Sequence, residues 1–77
     1  MTEAELLTRI EINPNIFSGK PIIRGLRMAV EHVLGMLAAG DTAESILQEY
    51  LFLEPDDIQA CLLLAYETGN LLEGEQA

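Results

Sequence analysis

Seventy-seven residues carry four Lys and Arg against thirteen Asp and Glu, a formal charge of -9 at pH 7, which favours solubility and opposes nonspecific attraction to nucleic acid or anionic lipid. With 49% apolar residues, two Phe and no Trp, the single domain must build its core from Leu, Ile, Val, Ala and Met, and a core this small often gains stability by oligomerising. One Cys excludes an internal disulfide, no stretch approaches the ~20 apolar residues of a membrane span, and no basic n-region precedes an apolar run at the N-terminus; the expectation is a cytoplasmic protein.

In chain order, Met1 to Thr8 reads as a frayed or weakly helical leader. Arg9-Ile10-Glu11-Ile12 alternates polar and apolar residues with the β-branched side chains inward, predicting a short strand, and Asn13-Pro14-Asn15 turns the chain. Ile22-Ile23 is a second strand, Gly25 allows a tight reversal, and Arg27-Met28 pairs back to complete a small ribbon. From Ala29 the period becomes helical. Val30, Val33, Leu34 and Leu37 share one face, and Gly40 after Ala39 is a left-handed C-cap. Asp41 or Thr42 caps a second helix with Ala43, Ile46, Leu47 and Tyr50 on its apolar face. Pro55 suits the first turn of a third, with Asp56 and Asp57 at the positive end of its dipole. Ile58, Cys61, Leu62 and Ala65 mark its inner stripe, Gly69 ends it, and the residues after Leu72 are expected to be disordered.

Charge is segregated along this pattern. All four cations, Arg9, Lys20, Arg24 and Arg27, fall in the first third, whereas Met28 to Ala77 holds ten carboxylates and no Lys or Arg. A basic segment of this kind either pairs with the acids of its own chain or meets an acidic group on a partner, and the planar guanidinium fork of Arg suits bidentate capture of carboxylate or phosphate. Lys20, Arg24, Gly25 and Arg27 are therefore the candidate residues for binding a partner or nucleic acid. Ser18-Gly19-Lys20 is no phosphate loop, since the upstream glycine is missing and Pro21 replaces the hydroxyl that would hold magnesium.

Several of these pieces occur together in a pattern. Gly19-Lys20-Pro21-Ile22-Ile23-Arg24-Gly25-Leu26-Arg27, followed by Val30, Ala39-Gly40, Glu44-Ser45-Ile46-Leu47 and Asp57-Ile58-Gln59-Ala60, resembles the small bacterial family known as domain of unknown function 433, from about Arg9 to Tyr66. The resemblance implies a mainly α fold, in which a short N-terminal β ribbon precedes a three-helix, homeodomain-like helix-turn-helix bundle. It also implies the role of antitoxin in a toxin-antitoxin pair, with a nuclease-like toxin protein as partner. The chain departs from the family at Leu26, where Thr is usual, at Leu51, where Pro is common, and at Glu54, where Ser or Thr caps the helix.

In a helix-turn-helix of that type the third helix enters the major groove with its first residues at the bases. Here those residues are Glu54, Asp56 and Asp57, which repel phosphate and leave nothing to hold the DNA backbone. Asp56 and Asp57 read better as a helix start, and weak or no DNA binding by the chain alone is expected. If DNA is contacted, Lys20, Arg24 and Arg27 must do it. Catalysis has no support: His32 stands alone on an outward face, Cys61 is a small buried hydrophobe, and neighbouring Asp56 and Asp57 diverge by about 100° on a helix. No catalytic residue, metal site or cofactor is assigned. Leu63 and Leu64 project sideways and outward beside the inner stripe of the third helix, so that Leu63, Leu64, Tyr66 and Leu71 are assigned to self-association, with a homodimer expected. The function expected is thus a non-enzymatic antitoxin-type module that binds a partner protein, with a DNA-binding regulator or a stand-alone assembly module as alternatives.

Overall fold

The computed structural model describes the backbone of residues 1–76 and the side chains of residues 1–69. The protein is mainly α, with a two-stranded antiparallel sheet near its N-terminus.

The chain opens with a helix that the composition of the leader understates. Thr2 and Glu5 form a capping box, Thr2 accepting from the Glu5 N–H and Glu5 from the Thr2 N–H, and helix α1 runs over Glu3–Leu7. Two of the donors orphaned at a helix start are satisfied in this way, and α1 then lies against the last helix of the fold.

Strands β1 (Ile10–Ile12) and β2 (Pro21–Ile23) pair in the register Ile10 to Ile23, Glu11 to Ile22 and Ile12 to Pro21. Ile10 packs on the core, but Ile12 is 67% exposed, so the inward alternation expected of both isoleucines holds only for the first. Ile22 bridges to Ala29, and the Ile23 N–H donates to the Met28 carbonyl, so the third line of the ribbon lies at Met28-Ala29. The reversal is a tight turn closed by the Leu26 N–H on the Ile23 carbonyl at 2.7 Å, with Arg24 (φ 42) and Gly25 (φ 70) both left-handed. Glycine takes that conformation freely, whereas an arginine there is strained and must be held by its side chain.

Helix α2 spans Val30–Ala38 and ends in a Schellman motif: the Gly40 N–H donates to Leu37, the Asp41 N–H donates to Met36, and Gly40 takes φ 104. Thr42 caps α3 (Ala43–Glu49) in a box with Ser45. Helix α4 starts at Pro55, as a proline at the first helical position requires, and extends through Gly69 to Gln76; at ~1.5 Å per residue it is about 33 Å long. Gly69 therefore does not end the helix, since a glycine inside an otherwise sound pattern costs only about 1 kcal/mol relative to Ala.

The core comprises Ile23, Met28, Val30, Val33, Ile46, Leu53, Ile58 and Cys61, contributed by the ribbon, all three later helices and the α3–α4 turn. Helices α2, α3 and α4 each pack on the other two. The inner face of α4 differs from the expected stripe: Leu64 packs on the core, whereas Leu62 is 42% exposed. No helix among the described residues is long and apolar enough to cross a membrane.

Candidate functional site

The four cations divide into two groups. Arg9 ends the turn after α1, where its carbonyl accepts the Arg24 N–H at 2.8 Å, and Arg24 sits in the strained turn after β2. Both guanidinium groups reach the start of α4. There Asp57, fully buried, accepts from Arg24 Nε at 2.8 Å and Nη2 at 2.7 Å, from Arg9 Nη1 at 3.0 Å, and from the Glu54 N–H at 2.8 Å. The last of these is half a capping box, so one carboxylate both caps α4 and holds the ribbon. Arg9 Nη1 also donates to Glu54 Oε1 at 2.6 Å, and Arg24 Nη2 to the Phe52 carbonyl at 3.0 Å.

Burial by itself would raise the pKa of Asp57, yet the Arg24 fork, the Glu54 N–H and Arg9 together outweigh it and hold the carboxyl below its ordinary value. The hub is thus ionised and saturated with donors. Arg24, one of the residues expected to bind a partner, is engaged by Asp57 and the Phe52 carbonyl while its side chain stays 33% exposed, and Gly25 beside it serves the turn: a Cβ there would lie 3.3 Å from Glu11 Oε1. Cys61, one turn along the same helix face, is pushed up to about 12, first by burial and then by the Asp57 charge, so it carries no thiolate at neutral pH.

Lys20 and Arg27 form the second group. Lys20 Nζ donates to Glu31 at 2.8 Å in an exposed pair. Arg27 is exposed and, among the described residues, has no ion pair or side-chain hydrogen bond. Both line an open groove of about 1040 Å³. Its ribbon wall is Phe17, Lys20 and Arg27; its helical wall is Glu31, His32, Gly35, the half-buried Met36 and Ala39; Asp41 lies at one end, and Tyr50 and Phe52 of the α3–α4 turn close it. Phe17 and Phe52 are 46% and 49% exposed, and Tyr50 meets His32 and Phe52 edge-on at ring separations of 6.2 Å and 6.0 Å. Phe17 is held in the groove by a left-handed stretch, with φ of 49, 56 and 81 at Phe17, Ser18 and Gly19. For Phe and Ser this backbone is costly, and such strain concentrates at functional sites.

Of the residues assigned to self-association, Leu63 is half-buried and lines a small hollow with Glu3 and Leu6 of α1, and Leu64 turns into the core. Only Tyr66, 64% exposed, projects outward as expected. The Leu71 side chain lies outside the described residues. The cover missing from a three-helix body is supplied on one side by α1.

Comparison with known proteins gives the family. The model of the family described as "Protein of unknown function (DUF433)" matches residues 10–65. The chain belongs to this family. It is also 33% identical over 64 residues to an uncharacterized protein, y4eO, of Sinorhizobium fredii (strain NBRC 101917 / NGR234), an alignment covering 83% of this chain and 28% of that protein. The chain thus spans little more than a quarter of the relative it matches. No solved structure matches.

Proposed function

We propose that the chain is a non-enzymatic, antitoxin-type module of the cytoplasm that binds a partner protein through the groove between the ribbon, α2 and the α3–α4 turn. The observation that carries this reading is the coincidence, on one concave surface, of half-exposed Phe17 and Phe52, Tyr50, and Arg27, which is unpaired among the described residues. Aromatic residues and Arg are the types enriched at protein interfaces and in their energetic centres. The start of α4 offers much less to nucleic acid: its acids repel phosphate, and the two arginines beside it are already engaged by Asp57 and Glu54. Self-association is proposed through the outward Leu62 and Tyr66, one turn apart on α4.

The test is co-expression with the product of the adjacent gene. Phe52→Glu places a carboxylate in the groove and is expected to abolish a complex that the wild type forms, with the far-UV spectrum unchanged and the midpoint lowered only by the loss of the Tyr50 edge contact, about 0.5–1.5 kcal/mol. A complex that survives Phe52→Glu intact would locate binding elsewhere, and submicromolar binding of random duplex DNA at physiological salt would favour the regulator alternative.

A further inference from the structure

Gly35 is the feature of the groove that the fold does not explain. It sits inside α2, where Gly is less favourable than Ala, its φ is not left-handed, and a Cβ built on it would meet nothing within 4 Å. No neighbour in this chain needs the missing methyl. The smallness of the position faces outward, into the groove, and Ala39 one turn further on continues the same low surface between the flanking His32 and Met36. A smooth channel along a helix, bordered by aromatic side chains, accepts the side-chain ridge of a second helix laid into it. An extended segment would instead need a free strand edge, and the groove wall on this side is helical.

Three of the four cations are engaged within the chain, Lys20 by Glu31 and the other two by the start of α4. Arg27 is the one cation lining the groove without a partner among the described residues; the groove's two acids are Glu31, which holds Lys20, and Asp41. From these observations we infer that the groove receives an amphipathic α-helix of the partner protein, seated over Gly35, with apolar anchors against Phe17, Met36 and Phe52 and a carboxylate at Arg27. This rests on the partner-binding reading above and specifies the partner element: a helix with apolar residues at i, i+4 and i+7 and an acidic residue bordering them.

The test is selection from a displayed library of peptides of about 15 residues on a helix-permissive scaffold, with the full chain as bait and binding remeasured on Gly35→Leu and Arg27→Glu. Enriched peptides should show the i, i+4, i+7 pattern with a neighbouring Asp or Glu. They should lose about tenfold or more in affinity on Gly35→Leu, which fills the channel, and on Arg27→Glu, which reverses the charge. Both variants should melt no lower than wild type, since one adds a side chain into open space and the other removes no contact. Failure to enrich any sequence, enrichment of extended or acid-free sequences, or indifference to Gly35→Leu would overturn the inference. So would a wild-type dimer in light scattering that Gly35→Leu converts to monomer, because the groove would then hold a second copy. If any of these occurs while the native complex still depends on Phe52, the specified occupant is wrong and the binding surface stands; if the native complex ignores Phe52, the binding reading itself fails.

Discussion

Replacing Asp57 by Ala should destabilise the chain as much as truncating a buried core side chain. The side chain is fully buried and accepts from four donors: two on Arg24, one on Arg9 and the Glu54 N–H. Removing one member of a buried ion pair typically costs about 3–5 kcal/mol, because the remaining charge loses its partner without regaining water. Arg24 and Arg9 are partly solvated, with side chains 33% and 18% exposed, which moves the expectation to the lower end, about 3 kcal/mol. At about 0.05–0.15 kcal/mol per residue, a 77-residue chain holds about 4–12 kcal/mol in all. The loss is therefore a large share of the total, and at about 4–8 °C per kcal/mol it lowers the melting midpoint by about 12–24 °C. Urea unfolding followed by circular dichroism would measure it. A loss below about 1 kcal/mol, the range of an exposed pair, would refute the reasoning that Asp57 joins the ribbon to α4.

The same hub sets an acid limit. Asp57 has its folded pKa below the unfolded value of about 3.9, so its contribution is fully present above that pH and is lost as pH falls through the folded value; urea midpoints should decline below about pH 4 in the wild type, and Asp57→Asn should remove this part of the decline. Two glycines with open space around them should respond with opposite signs: Gly35→Ala stabilises by about 0.5–1 kcal/mol through helix propensity, whereas Gly40→Ala costs about 1–2 kcal/mol because position 40 is left-handed. Cys61, buried and with its thiol pKa pushed up to about 12, should react with thiol reagents at neutral pH only as fast as the protein opens; rapid labelling of the native state would contradict the packing of α4.

Much of the architecture is legible in the sequence, because it rests on local signals. Gly40 and Thr42 mark the α2–α3 junction through cap chemistry confined to a few residues, and Pro55 marks the start of α4 in the same way. Helix α1 is understated as a frayed or weakly helical leader although Thr2-Glu3-Ala4-Glu5 carries the capping-box spacing, since five helical residues are too few to show a period. Leu62 and Leu64 exchange roles because α4 is apolar on several sides, and its rotation about its axis is set by Asp57 seeking the two arginines, a contact spanning 33 residues of sequence to Arg24 and 48 to Arg9. Lys20 and Arg27 are found at the site through charge segregation alone. Phe17, Tyr50 and Phe52 are not, because each is unremarkable in its own segment and they acquire meaning only where three segments converge.

We propose that the arginines of one short segment have separate duties, Arg24 in the fold and Arg27 at the partner surface. Arg24→Gln and Arg27→Gln, measured side by side for melting midpoint and for retention of the co-expressed partner, test it directly. Arg24→Gln should lower the midpoint while its folded fraction binds the partner as the wild type does; Arg27→Gln should leave the midpoint unchanged and weaken the complex. The reverse assignment, or two variants that behave alike, would contradict the account.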